Sequence, residues 1–230
     1  MLLHQRLLSS IGYGCARIDT QLSRNRVRAG QRLAVDIYLH GGGHTELIPN
    51  LELILLSHSG QTIDSQRLEL WRYPLLTALS LEAQACTHIQ AHCPIPLGCP
   101  VSLQRQTLWV QTNLDQQQGF TLGEENVLAV LPGQAVERLL DLLRSQQWQL
   151  HSSGCLPLPE ALTSEAAYGQ LVSISTRQGN QGFWLWQENE QGLQLWPMLQ
   201  LQPQWHQGLL LRTEQSNQDW LCQLSDRLDA

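Results

Sequence analysis

The chain has 230 residues, a mass of 26.0 kDa, 42% hydrophobic residues and a formal net charge of −6 at pH 7. This length suffices for two domains that each bury a core, and no window approaches the roughly 18 apolar residues of a transmembrane helix. The negative charge argues against nonspecific nucleic-acid binding. All 14 basic residues are arginine, which argues against Schiff-base chemistry and a Walker-type phosphate loop because both need lysine.

Apolar residues of the first segment are spaced by about one helical turn: Leu3, Leu7, Leu8 and Ile11. A helix of about ten residues is shorter than the roughly 12–15 residues needed for helicity in isolation. We therefore expect it to dock on its own chain, on a second copy in a homodimer, or on a partner protein, and these four are candidate interaction residues. Polar residues 4–6 interrupt the apolar run, so we expect neither a signal peptide nor stable membrane insertion, and we place the chain in the cytoplasm.

Alternation of apolar and polar residues begins at Ala16. Residues 16–22 and 33–40 each place their apolar side chains on one face, which is typical of half-buried antiparallel strands. The polar segment between them ends at Gly30, where glycine tolerates the positive φ of a turn. The glycines at 41–43 then reverse the chain into residues 51–56. The pattern predicts a β-meander.

The same stretch carries three motifs: G-x-G-x-A-R-I-D-T-x-L at 12–22, R-A-G-Q at 28–31 and H-G-G-G-H-T-E at 40–46. In these motifs it resembles the bacterial sporulation-control protein family, which has an arrestin-like fold. The family's tryptophan-containing strand that runs into T-x-L-D is similar to residues 109–115, and its V-x-P before a helix is similar to residues 130–132. The resemblance extends over about residues 10–150 and implies a regulatory protein, not an enzyme.

Further strands are predicted at residues 61–70, 87–93, 107–115 and 120–131. In the second of these, Ile89, Ala91 and Cys93 share one face, opposite two histidines and Gln90. Prolines then punctuate an extended loop over residues 94–100.

Pro132-Gly133 marks the predicted domain boundary, because residues 136–147 follow with apolar residues at helical spacing. Beyond this helix, strands are predicted at 168–176, 183–187, 193–196 and 209–213. The fold class is therefore all-β, with two arrestin-like β-sandwich domains, a short linking helix and terminal helices. Residues 1–132 form the first sandwich with its N-terminal helix, and residues 133–230 hold the linking helix, the second sandwich and a C-terminal helix.

Two patterns suggest catalysis and neither is complete. Residues 40–43 spell the oxyanion-hole tetrapeptide of some esterases, but the chain has no G-x-S-x-G nucleophile elbow. Ser57 and His58 are adjacent, yet neighbours on a strand point to opposite faces. We expect neither His40 nor Ser59 to be catalytic, and we assign no catalytic residue.

A metal site is not predicted either. His88 and His92 lie on one strand face, but four strand residues span about 13 Å, too far for both to bind one zinc ion. The 6 cysteines show no C-x-x-C spacing, so we expect reduced thiols, no disulfides and no cofactor.

Trp184 and Trp186 share a strand face in the second half. They are candidate interaction residues if this face is exposed, although a core position is favoured. Together with the resemblance, this predicts a non-enzymatic cytoplasmic regulator or adaptor that binds an unidentified protein through exposed sheet edges or the groove between domains. The alternative is a small-ligand or carbohydrate-binding sandwich that uses the tryptophans of the second half.

Overall fold

The computed structural model describes residues 16–58, 66–103, 106–116, 119–122, 125–162, 167–200 and 202–228. Most of these residues lie in strands, which confirms the all-β class. The predicted N-terminal helix lies outside the described residues.

A small sheet contains three antiparallel strands, β1 (Arg17–Leu22), β3 (Arg32–His40) and β6 (Cys86–Pro94), with β3 in the centre. The alternation of apolar and polar residues in the sequence explains why these strands form a sheet with one buried face. The inward side chains of β3 are fully buried: Leu33, Val35, Ile37 and Leu39. The opposite face carries the polar residues of the same strands.

A larger sheet faces it and contains six strands: β2 (Arg26–Arg28), β4 (Glu46–His58), β5 (Arg67–Leu81), β7 (Leu108–Gln116), β8 (Gly119–Leu122) and β9 (Asn126–Leu131). Their order is β2-β9-β7-β4-β5, with β8 paired to β7 and with β2 parallel to β9. The two sheets share one apolar core, and within it the hydroxyl groups of Thr20 and Thr112 lie 2.6 Å apart. The first half of the chain is thus a β-sandwich.

The second half begins with helix α1 (Gln134–Ser145), two residues before its predicted start. The remaining elements are β10 (Gln149–Pro157), β11 (Tyr168–Ser175), β12 (Gln181–Asn189), β13 (Gly192–Leu199), β14 (Gln202–Pro203), β15 (Leu209–Arg212) and helix α2 (Asn217–Leu228), with 3-10 turns at Glu160–Leu162 and Trp205–Gln207.

The arrangement of these strands differs from the expected second sandwich. In the described part of the second half they form one six-stranded sheet, in the order β10-β11-β12-β13-β14, with β15 also paired to β13. Helices cover one face of it: α1 contacts β10 and β13, and α2 contacts β12. The physical reason is that α1 and α2 bury their own apolar stripes there, with Leu139 and Trp220 both 0% exposed.

The two halves are joined by a shared core and by buried polar bonds. The amide of Gln170 in β11 is 1% exposed. Its Oε1 accepts a hydrogen bond from the Val101 N–H at 3.0 Å, and its Nε2 donates to the Val101 carbonyl at 2.9 Å. Gln106 of the first half also donates to Cys155 Sγ of β10 at 3.5 Å. Because buried polar groups are costly when unpaired, the bonds of Gln170 hold β11 against the loop after β6.

Helix α1 begins at this junction. Glu188 of β12 accepts a hydrogen bond from the Ala135 N–H at 2.7 Å through Oε1, which satisfies one of the unpaired donors of the first turn. A Cβ on Gly133 would lie 2.2 Å from Glu188 Oε2, so the carboxylate has room only because residue 133 is glycine. Burial raises the pKa of Glu188. The predicted boundary at Pro132-Gly133 is therefore packed against the second half.

Candidate interaction surfaces

Strand β6 forms an open edge of the small sheet. It pairs with β3 over nine consecutive residues in unbroken antiparallel register, and no other described strand pairs with it. Its inward residues Thr87, Ile89 and Ala91 remain half-buried, whereas the inward residues of β3 are fully buried. A further strand along β6 would complete the burial of Ile89 and Ala91.

The direction of the backbone groups along β6 follows from two neighbouring contacts. The Ala85 carbonyl accepts from the Gly41 N–H at 2.7 Å, and the Ile95 N–H donates to the Gln31 carbonyl at 2.8 Å. Both flanking residues therefore point their backbone groups toward the β3 side. Because these groups alternate along an antiparallel strand, the backbone groups of His88, Gln90 and His92 point away from β3. The same register puts Pro94, which has no N–H, in an outward position.

The outer face of β3 and β6 is polar and ordered. The ring of His88 stacks on Tyr38 with centroids 4.6 Å apart, and its Nε2 lies 2.8 Å from Asp36 Oδ1. These contacts all lie on the outer face of the sheet, and no described strand pairs with the outward backbone groups of β6.

The long edge strand β5 is interrupted where β6 is regular. It contains Pro74, and Ala78 has a positive φ of 55°. Its pairing with β4 shifts register twice, between Leu51 and Glu52 and between Leu55 and Leu56. Prolines, bulges and charged side chains are the devices by which edge strands avoid pairing with other chains. Arginines in β5 also bind glutamates across the outer face, as Arg72 does with Glu52.

The opposite edge of the small sheet is partly covered. The Thr20 carbonyl of β1 accepts a hydrogen bond from Asn126 Nδ2 at 3.2 Å, and β1 lies against β7, β8 and β9. In the second half, β10 lies against β4 and carries a bulge between Ser152 and Gly154. Among the strands that the structure describes, β6 is thus the long edge with the most regular geometry.

A cleft of about 460 Å3 opens between the loop after β6 and the turn that joins β12 to β13. Its lining comes from residues 97–98, Leu162, residues 187–191, Gln194 and Trp196. Trp196 is 4% exposed and packs edge-on against Trp205, with ring centroids 5.5 Å apart. The lining thus combines a nearly buried tryptophan with several amide side chains.

The sequence model of the Spo0M family, described as SpoOM protein, matches residues 4–170. The chain belongs to the Spo0M family. This confirms the resemblance seen in the motifs of residues 12–46 and extends it to the start of β11.

The fold agrees with this family assignment. The crystal structure of Spo0M, sporulation control protein, from Bacillus subtilis superposes with a TM-score of 0.73 at 16% sequence identity, over 94% of this chain and 98% of that one. Similarity therefore reaches through the second half, beyond the residues that the family model matches. No curated protein matches the chain.

Two other solved structures are far less similar. Pseudomonas fluorescens alkylpurine DNA glycosylase AlkC bound to abasic-site DNA gives a TM-score of 0.28 at 14% identity, over 51% of this chain and 33% of that one. A DUF4466 family protein from Parabacteroides merdae gives 0.29 at 5% identity, over 85% and 69%. Scores this low support no inference about this chain.

The sequence-predicted interaction residues fall in two places. Leu3, Leu7, Leu8 and Ile11 lie outside the described residues, so their docking stays a prediction. Trp184 is 2% and Trp186 3% exposed, because α1, α2 and the first half cover their face of the sheet. These two indoles therefore belong to the core, the position that the sequence favours, and form no exposed stripe.

The esterase-like glycines have a structural explanation. A Cβ on Gly41 would lie 2.1 Å from the Glu82 carbonyl oxygen, so glycine is required where the β3–β4 and β5–β6 turns touch. Ser59 lies outside the described residues. Within the described ranges, no three His, Cys, Asp or Glu side chains lie together as metal ligands.

The buried cysteines are in environments that disfavour reactivity, whereas Cys86 and Cys222 are exposed. The five cysteines among the described residues are free thiols. Burial raises the pKa of Cys93 and of Cys155 to about 12, which disfavours the reactive thiolate. Neither described helix is long and apolar enough to cross a membrane.

The sequence did not identify the β6 edge or the cleft as sites. The alternation of residues 87–93 was recognised, and it is the same for a central strand and an edge strand. The signal that was available is Pro94, since proline inside a sheet is confined to edges, strand ends and bulges.

Proposed function

We propose that this chain is a non-enzymatic cytoplasmic regulator that binds a partner protein by adding one of the partner's strands to β6. Family membership supports a regulatory role, because the Bacillus subtilis relative is described as a sporulation control protein. The observation that carries the binding mode is the uninterrupted nine-residue edge of β6, next to which Ile89 stays half-buried. In strand addition, backbone hydrogen bonds provide affinity and alternate side chains provide specificity.

The register defines what the partner meets. Its backbone would bond to the outward groups of His88, Gln90 and His92. On the inner face its side chains would pack beside Ile89 and Ala91, so alternate apolar residues are favoured there. On the outer face they would lie beside the histidines and the glutamine, which favours polar residues.

The competing carbohydrate-binding function loses its support. It depended on exposed tryptophans, and Trp184, Trp186 and Trp196 are each at most 4% exposed. A homodimer through β6 remains an outcome that the experiment below distinguishes, since the chain would then cross-link to itself.

The test is site-specific photo-cross-linking in cells, with a benzophenone amino acid in place of Gln90 or, as a matched control, of Thr77 in β5. Both positions are exposed and lie on edge strands. We expect cross-links at position 90 that are at least about tenfold stronger than at position 77, because β6, unlike β5, offers a regular backbone edge. Equal yields at the two positions would contradict the binding mode.

A second arm removes the backbone donor alone. With the cross-linker at position 92, Gln90→Pro should abolish the cross-linked product, whereas Gln90→Ala should retain it. The proline keeps the β3 ladder intact, because the N–H of residue 90 points outward. A product that survives Gln90→Pro would show that the partner does not pair with β6.

A further inference from the structure

Strand β6 begins with Cys86, whose side chain is exposed. In contrast, Cys93, Cys99 and Cys155 are buried, and burial raises the pKa of each of these thiols. The remaining described cysteine is Cys222 of α2, which is also exposed. Thiolates are the reactive form of cysteine, so the groups around the two exposed thiols decide whether either one reacts.

The register of the small sheet puts His40 of β3 directly opposite Cys86. Cross-strand partners point to the same face, and here both side chains are exposed on the outer face. Pairs along an antiparallel ladder alternate between hydrogen-bonded and non-hydrogen-bonded ones. Because the Gly41 N–H bonds to the Ala85 carbonyl, the next pair, His40 and Cys86, is a non-hydrogen-bonded one. The Cα atoms of such a pair are about 4.5 Å apart, and its side chains lie close together.

A second pair in the same ladder shows how close side chains come at this spacing. Tyr38 and His88 are also a non-hydrogen-bonded pair, and their rings stack with centroids 4.6 Å apart. His40 and Cys86 occupy equivalent positions, so side-chain rotation suffices to bring Sγ to a ring nitrogen. The His88 ring already lies 2.8 Å from Asp36 Oδ1, whereas the His40 side chain has no hydrogen-bond or ion-pair partner among the described residues. The imidazole of His40 is therefore available to accept a proton.

The same row extends to β1, where Arg17 is the cross-strand partner of His40 on its other side. Arg17 is exposed and forms no ion pair with a described residue. Cations beside a cysteine stabilise its thiolate, and reactive cysteines lie in partly exposed, electropositive surroundings of this kind. The row of Arg17, His40 and Cys86 thus places a cation, a proton acceptor and a nucleophile on one face of the sheet.

The surroundings of Cys222 are the opposite. On α2, Asp219 precedes it by three residues and Asp226 follows it by four, so both carboxylates lie on its side of the helix. Nearby negative charge disfavours a thiolate. The Sγ atom of Cys222 lies 3.8 Å from Gln218 Nε2, an amide donor that cannot take up the thiol proton. Cys222 therefore provides an exposed thiol without a base or a cation beside it.

We propose that Cys86 is a site of thiol–disulfide exchange with low-molecular-weight disulfides, in which His40 accepts the thiol proton and Arg17 favours the thiolate. The Sγ thiolate attacks one sulfur of the disulfide, a new S–S bond forms and the original S–S bond breaks. The thiolate that leaves takes the proton from His40, so one thiol and one disulfide give a mixed disulfide and one free thiol. The three side chains lie on the outer face, so this chemistry requires no partner strand on β6.

The test treats the reduced full chain with bis(2-hydroxyethyl) disulfide, which is neutral, and maps the adducts by mass spectrometry of peptides over time. We expect Cys86 to be modified at least about tenfold faster than Cys222. Cys155 should stay unmodified over the same period, because it is buried. Equal rates at Cys86 and Cys222 would show that exposure alone sets reactivity and would overturn the proposal.

A histidine variant tests the proton acceptor. His40→Gln should slow modification of Cys86 at least about fivefold and leave Cys222 unchanged, since glutamine cannot accept the proton. His88→Gln is the matched control on the same face, and it should keep the rate at Cys86 within about twofold. Protection of Cys155 in each variant shows that the fold is retained. An unchanged rate at Cys86 in His40→Gln, or equal losses in the two variants, would contradict the assigned role.

An arginine variant tests the cation. Arg17→Gln should slow the reaction of Cys86 with glutathione disulfide, which carries carboxylates, at least about threefold, and should slow the neutral disulfide less. Arg32→Gln, at the other end of β3, changes the net charge equally and should leave both rates unchanged. The rate with glutathione disulfide should also fall as salt rises from about 0.05 M to about 0.5 M. Equal effects of the two arginine variants would overturn the role of Arg17.

Discussion

Strands β5 and β6 are both edges of the first sandwich, and they present opposite surfaces. The 15 residues of β5 are broken by a proline, a positive φ at Ala78 and two register shifts. The nine residues of β6 run in unbroken register, with half-buried apolar side chains on the inner face. A long edge is a hazard for aggregation unless it is protected. Strand β5 is therefore protected against pairing with another chain and β6 is not, as expected if β6 receives a partner strand.

The largest expected effect is a difference in stability between proline variants at two neighbouring positions of β6, whose N–H groups point in opposite directions. Ala91→Pro removes an N–H that points toward β3, whereas Gln90→Pro removes one that points outward. We expect Ala91→Pro to lower the free energy of unfolding by about 3 kcal/mol and Gln90→Pro by about 1 kcal/mol or less. Urea titration of both variants measures this. Equal losses would contradict the assigned register.

The next effect tests the interruption in β5. Ala78 has a φ of 55°, where a β-branched side chain is strained. Ala78→Val should therefore lower the free energy of unfolding by about 1–2 kcal/mol, while Gln90→Val in β6 should change it by less than about 0.5 kcal/mol. Thermal melts of the two valine variants provide the comparison. A stabilised Ala78→Val would mean that β5 is as regular as β6.

A smaller effect concerns the apolar content of the open edge. Ile89→Thr keeps the β-branched shape and replaces the ethyl group by a hydroxyl at a half-buried site. We expect a stability loss of about 0.5–1 kcal/mol and a clear fall in cross-linking from position 92. His88→Gln, on the outer face, should change cross-linking less. If cross-linking is the same in both variants as in the unaltered chain, the partner does not pack on the inner face.

How far the sequence predicts this fold depends on the range of the interactions. Residues 33–40 and 87–93 alternate strictly, and they form β3 and β6 within one residue of the predicted limits. Strand β5 was placed at residues 61–70 and is observed at Arg67–Leu81, because Pro74 argues locally against a strand that pairing with β4 nevertheless maintains. The single sheet of the second half was missed, since nothing local tells whether helices or a second sheet will cover Trp184.

The candidate sites were less predictable than the fold. Gln90 is an ordinary polar residue in the sequence, and its proposed role depends on β6 having no described strand on its outward side. Edge position is decided by strand order, a long-range property that periodicity does not report. The position of Trp186 was left open for the same reason, because a tryptophan on a strand face suits a core, which was favoured, and also a binding surface.

The smallest expected effect concerns the junction between the two halves, which serves as a reference outside β6. The pKa of Glu188 in the folded chain is raised above its usual value of 4.5 by burial. The stability associated with its proton is present below that value and is lost as pH rises through the folded pKa. Glu188→Gln keeps the acceptor for the Ala135 N–H and cannot ionise. Its melting temperature relative to the unaltered chain should therefore rise from about pH 4 to about pH 7. A difference that falls over this range would contradict the stated sign.

Amide hydrogen exchange along β6, measured residue by residue by NMR on the free chain, tests the central claim most directly. We expect the amides of Thr87, Ile89, Ala91 and Cys93 to be protected by their bonds to β3, and those of His88, Gln90 and His92 to exchange at least about a hundredfold faster. Along β5, the interruptions should disrupt this strict alternation. Uniform protection of all seven β6 amides would show that the edge is already covered and would contradict the account of β6 as an open site for a partner strand.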